Sequence, residues 1–220
     1  MKRLLFALLV AAVCLTSCIK GTDILYSGYM FGTMEGAGIM LGDDGNTYHF
    51  VNNQMLSSMP VSGRIFAAFQ VYKLIDGTTS DYEADVLEYV TPVTKNPVVC
   101  TTEEEVEALG KAPLGVISDY YGGGHLNMAC ISLIADDPSA THVINLQIIP
   151  TENADTLHTV LRHNDGGYEF ASSLQDTYTR YQFYACFPLK DYVDEEKTKV
   201  IEIKYLWQSE WYSSYIELKK

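Results

Sequence analysis

Thr198-Lys199-Val200-Ile201-Glu202-Ile203-Lys204-Tyr205-Leu206-Trp207 is the stretch from which the fold is read. Ile201, Ile203, Tyr205 and Trp207 fall on one side of an extended chain and Glu202 and Lys204 on the other. This period of two predicts a half-buried strand, with the apolar set facing a core and the charged pair facing water. Working back from it, further strand patterns run over Leu126 to Ile134, Val143 to Ile149, Thr156 to His163 and Tyr178 to Leu189. Turn clusters separate them: Asp136-Asp137-Pro138-Ser139, Thr151-Glu152-Asn153 and Asn164-Asp165-Gly166-Gly167. Strands at this spacing without a long helix predict a β-sandwich.

The N-terminal half carries a second strand series. Ile39-Met40-Leu41 and Thr47-Tyr48-His49-Phe50-Val51 flank Asp43-Asp44-Gly45-Asn46, a tight-hairpin signal because glycine tolerates positive φ. The turn lacks the residue order and distal Glu of a calcium loop. Val61-Ser62-Gly63-Arg64 leads into an extended stretch from Ile65 to Ile75, Asp76-Gly77 turns the chain, and Tyr82 to Val93 follows. Several short strands predict a small barrel. Pro92 and Pro97 break the pattern, and Thr101-Thr102-Glu103-Glu104-Glu105 then gives a capping-type helix start near Thr102, stopped at Gly110 with Pro113 beyond. The expected fold class is all-β. The domains read as a barrel over 28–99, a linker with a short helix over 100–115 and a sandwich over 116–220.

The N-terminus has its own logic. Lys2 and Arg3 precede the apolar run Leu4–Leu15, and Leu15-Thr16-Ser17-Cys18 ends it. The run is shorter than the roughly 20 residues that cross a bilayer and reads as a secretory signal over 1–17 closed by a lipidation box. A thioether at Cys18 and acylation of the freed amine would attach palmitate-type chains, each buried methylene contributing about 0.8 kcal/mol. Residues 18–27 would then tether the protein to the cell envelope, on the outer membrane. The partner so implied is the lipid bilayer.

Composition narrows the other partners. With Lys2 and Arg3 removed, 13 basic residues face 28 acidic ones, a mature formal charge of 13 − 28 = −15. Nucleic-acid affinity rests on Lys and Arg neutralising phosphates, so no nucleic acid is expected. Beyond Cys14 in the leader and Cys18, the cysteines are Cys100, Cys130 and Cys186, with no C-x-x-C pair for zinc or redox chemistry. Cys130 and Cys186 sit in apolar strand patterns, as buried thiols do.

Several stretches occur in an order that resembles a known family. They are the box at Cys18, Asp44-Gly45 before a strand, Val61-Ser62-Gly63-Arg64, Leu109-Gly110-Lys111-Ala112-Pro113-Leu114, and Leu126-Asn127-Met128. His142-Val143-Ile144-Asn145-Leu146, Leu161-Arg162-His163-Asn164-Asp165 and Phe187-Pro188-Leu189 complete the set. In these the chain resembles the NigD-like lipoproteins of Bacteroides-type bacteria. The resemblance implies an OB-like barrel followed by a β-sandwich, and carries over no enzyme activity and no catalytic residue. The family's name comes from a bacteriocin locus, so a protective, immunity-like role or a purely structural one stands as an alternative. The chain departs from the surface-exported pattern in having no acidic run after Cys18.

Chemistry-bearing residues are sparse. His158 and His163, five apart, cannot neighbour one another on a regular element, whereas His142 could approach His163 at one end of the sandwich. A hydrolase would need His163 and Asp165 acting with Ser118, Ser132 or Ser172, but strand neighbours diverge and no G-x-S-x-G elbow is present. Tyr120-Tyr121-Gly122-Gly123-Gly124 is not a phosphate loop, since no Lys-Ser or Lys-Thr follows. Tyr120, Tyr121, Trp211 and Tyr212 are the candidate binding residues, as flat aromatic platforms for a glycan or an envelope protein. The expected function is non-catalytic binding, with neither metal nor cofactor.

Overall fold

The computed structural model describes residues 23–135, 141–152, 155–166, 178–194 and 196–218. The leader, Cys18, the turn Asp136–Ser139 and Ser172 lie outside the described residues, as do Asn153 and Gly167 of the other two turns.

Strands β1 (Tyr26–Gly36), β2 (Ile39–Gly42), β3 (Thr47–Phe50), β4 (Gly63–Leu74) and β5 (Asp81–Val90) form a closed barrel in the order β1-β2-β3-β5-β4. Only the β3–β5 pair is parallel. This is a five-stranded barrel of OB type. Alternation on β4 drives closure: Ile65, Ala67, Phe69 and Val71 are fully buried and meet Met40, Tyr48, Ala84 and Val86 in one core. The hairpin expected at Asp43–Asn46 joins β2 to β3, with Gly45 at φ 82°. A short helix, α1 (Asn53–Leu56), follows β3.

The remaining strands build two sheets. One contains β14 (Glu210–Glu217), β13 (Val200–Trp207), β11 (Thr156–Asn164), β10 (Val143–Ile149) and β7 (Val98–Val99), in that order. The other contains β6 (Val93–Thr94), β12 (Tyr178–Pro188), β9 (His125–Ala135) and β8 (Leu114–Gly122). Leu126, Met128, Cys130 and Phe187 from the four-stranded sheet pack on Leu146, Leu161, Ile201 and Ile203 from the five-stranded one. The chain is therefore all-β, a barrel followed by a sandwich.

Two details differ from the sequence reading. The expected barrel boundary at residue 99 overlaps strands that the sandwich holds: Val93–Thr94 pairs in parallel with β12, and Val98–Val99 with β10. The proline-punctuated segment completes one edge of each sheet, because an unpaired edge leaves backbone donors and acceptors unused. Glu202 does point away from the core, but it is buried, not wet. His158, Ser213 and Tyr215 close over it, with His158 Nδ1 2.5 Å from one carboxylate oxygen and both hydroxyls donating to the other. Trp207 is partly buried over the bare backbone of Gly115, where a Cβ would lie 3.2 Å from its ring.

The linker helix α2 (Glu103–Ala108) starts as expected. Thr102 caps the backbone N–H of Glu105, whose carboxylate accepts from the N–H of Thr102, a reciprocal capping box. Gly110 follows at φ 86°, pressed against the backbone of His163 and Asn164.

A candidate binding cleft between barrel and sandwich

The outer face of β1 and β4 presents the cross-strand pairs Thr33–Arg64, Phe31–Phe66 and Tyr29–Ala68. Opposite stands the outer face of the four-stranded sheet, where Tyr120, Asn127 and Cys186 share one row and Ala129 and Tyr184 the next. Register thus brings two sets of outward side chains together. At one end they lock through Asp43 and Arg64. The Arg64 guanidinium donates twice to Asp43, at 2.7 Å to each oxygen, and also to Thr33 Oγ1 and Asn127 Oδ1. Asp43 further accepts from Tyr120 Oη at 3.0 Å and Asn127 Nδ2 at 2.8 Å.

Arg64 is only 5% exposed. Burial works against its charge, but the hydrogen bonds and charge of Asp43 outweigh that, and the guanidinium pKa is held above its ordinary value. Burial and then the Asp43 charge push the Tyr120 phenol up, so it stays a neutral donor. Burial likewise raises the Cys186 thiol to about 11 and the Cys130 thiol to about 12, which makes both inert as nucleophiles. Cys186 Sγ lies 3.1 Å from Asn127 Oδ1, and Cys100, Cys130 and Cys186 are all free thiols.

Two of the three glycines after Tyr121 take their meaning from this lock. A Cβ at Gly123 would lie 2.3 Å from Asp43 Oδ1, and one at Gly122 2.9 Å from Asp43 Cβ. The bare turn receives the barrel's own carboxylate.

Beyond the lock the two faces diverge around a half-open cleft of about 700 Å³. Its walls are Tyr29, Phe31 and Phe66 from the barrel, and Ile117, Ser118, Tyr120, Gln182 and Tyr184 from the sandwich. Phe66 and Tyr184 stack across the junction at 4.4 Å between ring centroids, and Phe31 meets Tyr184 edge-on at 5.7 Å. Volume and position between two units both suit a ligand site.

The four predicted aromatic residues do not form one platform. Tyr120 is engaged in the lock at the cleft's end, while Tyr121 turns inward and packs on the sandwich core. Tyr212 stacks on Tyr205 at the core-side edge of β13 and β14. Trp211, 52% exposed, points to the opposite face of that sheet, beneath the Arg162 guanidinium. Alternation along each strand separates members of each pair. Asp43, Arg64 and Asn127 were not singled out as site residues, although each lies in or beside a stretch quoted above. Their contacts cross 21 to 84 residues of chain, a distance no local pattern encodes.

The histidines do meet. His142 Nδ1 lies 2.9 Å from His163 Nε2, and Ser132 Oγ 3.3 Å from His163 Nδ1, beside a second cavity of about 450 Å³. Among the described residues, the groups within hydrogen-bonding reach of the His163 ring are Ser132, His142 and the Pro113 carbonyl, which is 3.3 Å from Nδ1. Nδ1 faces the Pro113 carbonyl and Ser132 Oγ at the same 3.3 Å, and the tautomer that donates to the carbonyl leaves Nδ1 no lone pair to take a proton from Ser132. Ser132 is itself buried. Burial lowers the His163 pKa against the opposing Pro113 bond, with His142 adding to the depression. His158 is committed to Glu202. No group of three or more His, Cys, Asp or Glu suited to a metal ion occurs among the described residues.

Comparison with known proteins supports this description of the fold. None of the curated proteins matches the chain in sequence. Among solved structures, a protein of unknown function from Bacteroides vulgatus is 15% identical, with 89% of this chain and 92% of that one aligned at a TM-score of 0.67. A NigD-like immunity protein from Bacteroides caccae is 20% identical over 86% and 91% of the two chains, at 0.60. A candidate lipoprotein from Bacteroides fragilis is 12% identical over 89% and 98%, at 0.62. At these identities the likeness is one of fold. The model of the NigD-like C-terminal β-sandwich domain matches residues 97–219, more than half of the sequence, and the chain belongs to that family.

Proposed function

We propose that this protein is a cell-envelope lipoprotein, anchored through Cys18, that binds another envelope component without catalysing a reaction. The observation that carries this reading is the cleft: two rigid β units, fixed by the Asp43–Arg64 lock, hold aromatic walls around a volume of ligand size. No nucleophile–base pair with usable proton positions lies in it among the described residues. The lipidation box and the candidate lipoprotein of the same fold favour the envelope. A protective role, in keeping with the name of the Bacteroides caccae relative, would use the cleft to hold a protein.

The test is a thermal shift of the detergent-solubilised full chain with fractionated envelope extract. A ligand of the native state raises the melting temperature by mass action. At least one fraction should shift the wild type and leave Ser118→Trp unmoved, since that exposed residue lines the cleft and its replacement fills it. Equal shifts in both proteins, or none in the wild type, would contradict the reading.

A further inference from the structure

We infer that the cleft between barrel and sandwich takes a neutral saccharide chain. The inference rests on the binding reading above and gives its ligand a chemical class. Charge decides first. Among the described residues no Lys, Arg or His lines the cleft, and the whole chain carries a formal charge of −13. An anionic ligand would meet no exposed cation there, because Arg64 is buried and its terminal nitrogens are bound to Asp43, Thr33 and Asn127. Of the two carboxylates that line the cleft, Asp43 is paired with Arg64, and the exposed Asp44 accepts from Tyr48 and Asn46. The other lining residues carry no charge, which favours a neutral ligand.

The walls then decide between apolar and amphipathic. Tyr29 is 75% exposed and Ile117 53%, so the cleft offers flat apolar surface beside the Phe66–Tyr184 stack. Around that surface stand the hydroxyls of Tyr29, Tyr184 and Ser118 and the amide of Gln182, for none of which a hydrogen bond is found among the described residues. Aromatic faces ringed by neutral donors and acceptors complement a sugar, which has an apolar C–H face and a rim of hydroxyls. A peptide added as a strand would need an unpaired sheet edge. Here the β1–β4 and β9–β12 ladders beneath the aromatic walls are already paired, so strand addition could use only β8, the edge of its sheet, and would leave the faces of Tyr29, Phe66 and Tyr184 unused. The cleft's half-open form suits a segment within a longer chain.

Saturation-transfer NMR on the solubilised full chain tests this with linear neutral hexasaccharides of glucose, mannose and xylose beside oligogalacturonate of the same length. At roughly millimolar concentration, at least one neutral hexasaccharide should show transfer and oligogalacturonate none. Ser118→Trp should abolish that transfer. Tyr29→Ala should weaken binding roughly 2- to 10-fold. Circular dichroism should show both variants folded, as both positions are exposed. Transfer to oligogalacturonate equal to the neutral chains, or transfer surviving Ser118→Trp, would overturn the inference. So would silence from every neutral chain. If an envelope fraction still shifts wild type and not Ser118→Trp while the hexasaccharides are silent, the ligand class alone fails. If neither extract nor saccharide acts on the wild type, the binding reading fails with it.

Discussion

Replacing Asp43 by Ala should uncouple the barrel from the sandwich. The substitution removes four hydrogen-bond acceptances: two from Arg64 at 2.7 Å, one from Asn127 at 2.8 Å and one from Tyr120 at 3.0 Å. It leaves a guanidinium at 5% exposure without its counter-charge. Breaking a buried pair in this way costs about 3–5 kcal/mol, most of it for the stranded charge. For a chain of this size that lowers the melting temperature by about 6–20 °C. Removing the stranded charge too, in Asp43→Ala/Arg64→Met, should recover at least about 2 kcal/mol, because an apolar replacement for both partners avoids the desolvation penalty. Urea titration reads both effects. Trp207 and Trp211 both lie in the sandwich, so their fluorescence follows that unit, while far-ultraviolet circular dichroism follows both units. The two probes should coincide in the wild type and separate in Asp43→Ala. A loss below about 1 kcal/mol, or a double variant no better than the single one, would refute the lock.

Gly110→Ala should destabilise the linker by about 1–3 kcal/mol in chemical denaturation, because its Cβ would lie 2.3 Å from the His163 carbonyl oxygen at a φ of 86°. Glu202 is held below its ordinary value of 4.5 by the His158 hydrogen bond first, then by Tyr215 and Ser213 against burial. Its contribution is thus present above pH 4.5 and lost as pH falls through the lower folded value, so Glu202→Gln should flatten the stability curve in that acid window. His163 resists protonation in the fold, so its neutral form favours the native state above pH 6.5 and that advantage drains away as pH falls below it. Stability of His163→Gln, followed by urea midpoint against pH, should fall less steeply across that interval.

The strands and the helix start were legible where a local pattern carried them. The Ile201–Ile203 alternation, the Asp43–Asn46 hairpin and the Thr102–Glu105 capping box each depend on neighbours within a few residues. Strands β6 and β7 were not legible, since two residues cannot show a period and only the sheet edges they complete reveal them. Glu202 looked like a solvent position because alternation reports the face and not what covers it; His158 from another strand and Tyr215 from the next do the covering. The site was the least visible part. Tyr120 was singled out for its ring, yet its place is set by Asp43, which lies 77 residues away. Trp211 and Tyr120, read as one platform, belong to different sheets.

The central claim, that the protein works by holding an envelope component in its cleft, is tested most directly by photo-crosslinking in intact cells. A photoreactive phenylalanine replaces Tyr29 on the cleft wall, and in a second strain it replaces Tyr215, which is 63% exposed on the outer face of the other sheet. Both are exposed tyrosines given the same substitution, and the variant at 215, which gives up the Tyr215–Glu202 hydrogen bond, serves as the control once circular dichroism shows it folded. The expected result is an adduct at position 29, carrying hexose or pentose mass on tandem mass spectrometry, and none at position 215. An adduct at 215 with none at 29, or adducts of equal yield at both, would contradict the claim.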